Sequence, residues 1–318
     1  MIPAIDEIRR AAARIAPHAH RTPVMRCRSL DAMSGAELFF KCENLQRAGA
    51  FKFRGAVNAV LSLPAERAAR GVASHSSGNH AAALALAARV CGVPCRVVMP
   101  RGAPAVKQAA VRGYGAEIRF CEPSLQAREQ GLAELVADSG AAVIHPYDDE
   151  AVIAGQGTAA LELVEEVADL DLLLCPVGGG GLASGTAIAA HGASPRTRVV
   201  AVEPAGADDA RRSFRQGRLL LSVAPDTIAD GLLTSLSERT FGIIRALVHD
   251  VVCVDDAAIA RAMRLVFERM KLVIEPSAAV PLAALLEGRL RCAGQRVGII
   301  LSGGNVDLGR LATLDMDR

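Results

Sequence analysis

The sequence predicts an α/β fold of two doubly wound parallel-sheet lobes facing a cleft, and three observations predict it. Short apolar segments alternate with helical ones along most of the chain, as parallel strands do when helices cover both faces of their sheet. The 318 residues exceed what one core usually organises, since cores tend to split beyond roughly 250 to 300 residues. Three glycine-rich or polar loops, over 74–80, 178–181 and 302–305, fall where strands end, and open α/β sheets bind ligands beyond the carboxyl ends of their strands.

Taken in order, Ile5–Ile15 has the spacing of an amphipathic helix, stopped by Pro17 and followed through Thr22-Pro23 by extended chain. An aromatic-rich strand is predicted over 37–43. It leads to Ala50-Phe51-Lys52-Phe53-Arg54-Gly55, and a helix over 55–63 follows with Val57, Val60 and Leu61 on one side and Pro64 as its stop. Strands at 72–74, 96–99, 117–120 and 142–144 alternate with helices at 79–90, 103–114 and 125–139. This block, 69–148, reads as a small mobile domain inserted into a larger one made of 1–68 and 149–318. The larger domain resumes with a helix over 152–167 and strands at 172–175, 199–202, 251–254 and 297–301, with helices at 257–270 and 277–286 among them.

Composition narrows the function classes. With 51% hydrophobic residues, 22% charged residues and a net charge of +2, the chain has the balance of a soluble globular protein. Lysines and arginines are scattered, and with no Trp and two Tyr there are few rings to stack on bases, which argues against nucleic acid. Acids near the N-terminus and the short apolar runs argue against a secretory signal and a membrane span, so a cytoplasmic protein with eight reduced cysteines is expected. The nearest to a metal-ligand pair, Cys91 and Cys95, has no second pair at zinc spacing.

Lys52 is the residue with chemistry to explain. Aromatic rings flank it on both sides. An apolar pocket disfavours the ammonium form and frees an amine for Schiff-base chemistry, although a structural lysine can also lay its stem over apolar surface. The strand at 172–175 runs into Gly178-Gly179-Gly180-Gly181 and then a helix, a layout whose bare N–H groups and helix start cradle an anion such as phosphate. Gly178, Gly180 and Ala183 also fit a dinucleotide fingerprint, with Glu203 twenty residues after Ala183 placed to bind a ribose hydroxyl, so an NAD-dependent oxidoreductase is the competing reading. Ser76, Ser77, Asn79 and His80 crowd one strand-to-helix loop, more polar groups than a helix cap needs, and suit a carboxylate.

Phe51-Lys52-x-Arg54-Gly55, Ser76-Ser77-Gly78-Asn79-His80, the four glycines and Ser302-Gly303-Gly304-Asn305, in that order, resemble the serine racemase and serine/threonine dehydratase family of fold type II pyridoxal-phosphate enzymes. Glu203-Pro204, Ala207-Asp208-Asp209, Ile228-Ala229-Asp230-Gly231 and Glu268-Arg269-Met270-Lys271 extend the likeness over nearly the whole chain. It implies a homodimer with its active site in the cleft, acting on a small amino acid. By the resemblance, Lys52 carries the cofactor and serves as base at Cα, Phe51 packs on the ring, and Asn79 meets its phenolic oxygen. Gly178, Gly179, Gly180, Gly181 and Leu182 would hold the phosphate, and Ser302 would face the ring nitrogen, leaving it a weaker electron sink than a carboxylate would. Ser76, Ser77, Asn79, His80 and Arg128 would serve the substrate carboxylate, with Ser77 the second base of a racemase. Glu203, Ala207 and Asp209 match a divalent-cation site for Mg²⁺ or Ca²⁺, against the alternative of an acidic helix start at Asp208-Asp209. The implied activity is dehydration of serine or threonine to a 2-oxo acid and ammonia, or racemisation. By the same resemblance, Ala48 stands where serine racemase has a threonine in its nucleotide site, which argues against a nucleotide effector.

Overall fold

Apolar spacing builds the first elements of the computed structural model, which describes residues 3–76, 78–103, 105–307 and 309. Helix α1 (Ile5–Ile15) buries Ile8, Ala11 and Ile15, one stripe at helical spacing. Strand β1 (Val24–Met25) and helix α2 (Arg28–Ser34) follow, the latter ended by Gly35 at φ 69°, a left-handed conformation that glycine adopts without steric cost. In β2 (Glu37–Cys42) every residue after Glu37 is buried, so this is an interior strand. Helix α3 (Lys52–Leu61) begins three residues before the predicted start, which puts Lys52 itself in the first turn, and α4 (Ala65–Ala69) follows Pro64.

Four strands of a second sheet come next. They are β3 (Val72–His75), β4 (Cys95–Pro100), β5 (Glu117–Cys121) and β6 (Ala142–Val143), connected by α5 (Asn79–Val90), α6 (Ala105–Gly113) and α7 (Leu125–Ser139). They form a sheet in the order β5-β4-β3-β6, and all its pairs are parallel. Its two faces carry separate apolar clusters, one shared with α3 through Phe53, Ala56 and Val57, the other lined by Leu132 and Leu135 of α7.

After α8 (Glu150–Glu166) the chain builds β7 (Leu172–Pro176), α9 (Gly181–Ala193), β8 (Arg198–Pro204), α10 (Asp209–Gln216), α11 (Glu238–Leu247) and β9 (Asp250–Val254). Helices α12 (Asp256–Leu265) and α13 (Pro276–Leu286) precede β10 (Arg296–Leu301). The larger sheet runs β1-β2-β10-β7-β8-β9, parallel except for β1 against β2. Helices α2, α12 and α13 cover one face and α1, α8, α9 and α11 the other. Two expectations change in detail. The helix expected over 257–270 is α-helical only to Leu265 and then widens into a π turn, Val266–Met270, ended by Lys271 at φ 60°. Helices α2, α4 and α11 were not expected, and α10, Asp-Ala-Arg-Arg-Ser-Phe-Arg-Gln, too polar to show a broad apolar stripe, was weighed only as an acidic helix start at Asp208-Asp209.

Helices α3, α8 and α9 approach closely at glycines. A Cβ on Gly155 would stand 2.6 Å from the Arg54 carbonyl oxygen and from Gly55 Cα, and one on Gly185 would stand 2.5 Å from the Ile153 carbonyl oxygen and 2.6 Å from Gly157 N. No such atom fits. The three helices therefore pack backbone to backbone, with Lys52 on the first and the end of the glycine loop on the third.

Candidate active site

Lys52 reaches the site because Phe51 turns the chain out of an extended segment into α3, an entry stitched to the 302–305 loop. The Phe51 N–H donates to the Ser302 carbonyl at 3.0 Å, and Ala50 bridges Gly303. Lys52 Nζ lies 5.1 Å from the Phe51 ring centroid and donates to the Pro146 carbonyl at 2.9 Å. Burial lowers its pKa to about 8, partly offset by the charge of Glu275, so far more of this amine is unprotonated near neutral pH than in an exposed lysine.

Behind Lys52 sits a buried charge cluster. Arg54 meets both oxygens of Glu43 (2.7 and 2.8 Å) and both of Glu162 (2.7 and 2.9 Å), while Lys41 Nζ donates to Glu162 at 2.6 Å and to the Thr22 carbonyl at 2.6 Å. Two cations and two carboxylates balance, and each guanidinium edge finds an acceptor. The cluster ties α3 to β2 and α8.

The glycine loop fits a phosphate. Gly180, at φ 86°, precedes α9, whose first turn receives no side-chain cap, so its N–H groups are left for an external anion. The outer side of the loop is closed. A Cβ on Gly178 would lie 2.9 Å from Leu232 Cα, one on Gly180 2.7 Å from Leu236, one on Gly181 2.9 Å from Tyr147, and one on Gly179 would overlap the Tyr147 ring. Leu182 is buried in the first turn of α9. Ser302 is buried at the end of β10.

From the smaller sheet, Asn79 begins α5 and directs Nδ2 to both oxygens of Glu275 at 2.9 Å, while its Oδ1 accepts from Asn305 at 3.0 Å. Ser76 is half-buried, its hydroxyl accepting the Gly78 N–H at 3.3 Å. His80 is buried, with Nε2 at 3.1 Å from the Ile144 carbonyl and Nδ1 without a partner among the described residues. Burial first, then the charge of Lys52, pushes its pKa down to about 3, so it is neutral. Arg128 sits on α7, where its Nε donates to the Ser124 carbonyl one turn earlier at 3.4 Å, and its charge adds to burial in lowering the pKa of His75 at the end of β3. Ser77 lies outside the described residues.

Several groups at this site escaped the sequence reading. His145, Pro146 and Tyr147 follow β6, and the rings of His145 and Tyr147 meet edge to face at 4.6 Å. His145 Nδ1 accepts the Asp148 N–H at 2.9 Å, so that nitrogen is unprotonated and the proton of the neutral ring is on Nε2. The signal was available: these residues form a fourth loop at the carboxyl end of a strand, the place where the other three were found.

A family model described as "Pyridoxal-phosphate dependent enzyme" matches residues 15–303. The chain belongs to this family. The enzyme is 50% identical over 310 residues to a beta-hydroxyaspartate dehydratase of Paracoccus denitrificans, covering 98% of each chain. It is 48% identical over 312 residues to a serine racemase of Arabidopsis thaliana, covering 96% of this chain and 94% of that one. Its fold matches the crystal structure of serine racemase from Dictyostelium discoideum with a TM-score of 0.93 at 47% identity, covering 96% of this chain and 100% of the other. These likenesses set the NAD reading aside. Glu203 agrees, since its carboxylate is buried and accepts the N–H groups of Ala210 (3.1 Å) and Arg211 (2.6 Å) at the start of α10.

Proposed function

We propose that this enzyme is an ammonia-lyase that dehydrates a small β-hydroxy amino acid, of the class of serine, threonine or 3-hydroxyaspartate, to a 2-oxo acid and ammonia. The observation that carries this reading is the Lys52 amine, held at the start of α3 against the Phe51 ring and the Pro146 carbonyl, on an entry that Phe51 N–H ties to the Ser302 carbonyl. Bound pyridoxal phosphate supplies an electron sink that makes the substrate Cα–H acidic. Gly178 to Leu182 would hold the phosphate, Phe51 would pack on the ring, and Ser302 and Asn79 would meet its polar atoms. Lys52 would hold the cofactor at rest and, once freed as an amine by the incoming substrate, would take the α-proton; the β-hydroxyl would leave as water, and hydrolysis of the released enamine would give the 2-oxo acid and ammonia. Ser76, Ser77, Asn79, His80 and Arg128 serve the substrate carboxylate, with the unit 69–148 closing over it.

Likeness to the Arabidopsis serine racemase favours a second activity on the same scaffold, with Ser77 exchanging the proton on the face opposite Lys52. Purified enzyme given L-serine, D-serine, L-threonine and 3-hydroxyaspartate should form 2-oxo acid from at least one of them. Chiral analysis of recovered substrate reports racemisation. Absence of both products with every substrate would refute the reading.

We also propose a divalent cation held by Glu203, Asp209 and the Ala207 carbonyl. Among the described residues no group of three or more His, Cys, Asp or Glu side chains gathers as a metal cluster, so two carboxylates and a carbonyl would have to suffice. Burial pushes Glu203 up to about 8, with Asp209 adding to it, and raises Asp209 to about 6, a repulsive pair that a cation relieves. Chelation should lower the melting temperature of the parent, as loss of a ligand present at about a hundred times its Kd costs about 2.7 kcal/mol. Glu203→Gln with Asp209→Asn should abolish that response; an unchanged parent would leave Glu203 as the cap of α10.

We place the enzyme in the cytoplasm as a homodimer. Among the described residues no helix is long and apolar enough to cross a membrane. Leu45 and Val273 are exposed on neighbouring segments joined by the Asn44 to Val273 hydrogen bond, an apolar face that a second copy would cover.

A further inference from the structure

Glu275 stands where an acid would ordinarily cap a helix, immediately before α13, but it makes no side-chain cap to that helix. Pro276, the first helical residue, has no N–H to offer. The carboxylate turns instead to Asn79 on α5, accepting from Nδ2 at 2.9 Å with each oxygen. It does so at a desolvation cost, because Glu275 is only 4% exposed. Its surroundings leave little slack: a Cβ on Gly303 would lie 2.6 Å from Oε1, and the Glu275 N–H donates to the Gly303 carbonyl at 3.0 Å.

The charges facing Glu275 from other elements are Lys52, Lys107 and Asp230. Lys107 on α6 and Asp230 in the turn 230–232 pair with each other at 2.7 Å and largely cancel. What remains is Lys52. Burial disfavours the charged form of both, raising Glu275 to about 7 and lowering Lys52 to about 8, and each partly restores the charged form of the other.

We propose that Glu275 is a positioning residue of this active site, aiming the Asn79 amide and supplying the counter-charge against which the Lys52 amine is set. The inference rests on the pyridoxal-phosphate site described above and assigns a role to a residue outside its direct contacts. Without the carboxylate, the ammonium form of Lys52 loses its partner and its proton leaves at lower pH. The Asn79 amide, released from two acceptors, loses its fixed aim at the ring site.

The test is Glu275→Gln in the holoenzyme, a change that keeps size and one acceptor oxygen and removes the charge. We expect kcat to fall about 10- to 100-fold with KM changed less than about threefold, as expected for loss of a hydrogen bond to a buried charged group. The acid limb of the kcat profile, which reports the Lys52 amine freed in the substrate complex, should move to lower pH, and the visible absorption of the bound cofactor should change its pH dependence. Glu275→Asp, which restores the charge, should recover part of both. A Gln variant whose pH profile and visible spectrum superimpose on the parent's, whatever its melting temperature, would overturn the proposal. A parent with no visible band and no turnover would instead refute the reading of the site itself.

Discussion

Lys52→Ala should reduce turnover by at least about a thousandfold, because on the proposed reading it removes both the covalent anchor and the proton acceptor, and a positioned base alone is worth about 10² to 10⁴. Borohydride treatment of the parent should fix the cofactor's mass on the peptide carrying Lys52, and the variant should take up none there. The low pKa of this amine, about 8, is a property of its pocket beside Phe51 and so belongs to the folded chain. Residual activity within tenfold of the parent would mean that another group takes the proton.

Arg54→Met should be the most destabilising single change considered, by about 3 to 5 kcal/mol, because it strands Glu43 and half of Glu162 in a buried setting. Urea unfolding would measure it. A loss under about 1 kcal/mol would show that water reaches the cluster. Pairing Arg54→Met with Glu43→Leu should recover part of the loss, since replacing a whole buried ion pair by apolar groups is often close to neutral. Burial alone would raise the Glu162 carboxyl, but Arg54 and Lys41 hold it below the usual 4.5. The stability from that lowered pKa is present above the unfolded value and is lost as pH falls through the folded one.

How far the molecule could be read in advance depended on whether a residue's meaning was local. Lys52 between two phenylalanines and the glycines after an apolar strand carry their meaning within a few positions, as do the bounds of α1, α5 and α7. Glu275 does not. Read in sequence it is an ordinary acid ahead of Pro276, and its partner Asn79 lies 196 residues away. Arg54 was quoted only as part of a motif, because Glu43 and Glu162 are brought to it by β2 and α8. Tyr147 was passed over because its partners, the glycines of the 178–181 loop, become neighbours only when the two sheets come together.

The glycine contacts among α3, α8 and α9 have a mechanical consequence. Lys52 and the glycine loop ride on helices whose backbones touch through α8, so the span between the two behaves as a stiff gauge. Asn79, Ser76 and Arg128 belong to elements of the other sheet. A rotation of that sheet would therefore change the room available to the substrate and the aim of Asn79 while leaving the span from Lys52 to the glycine loop unaltered.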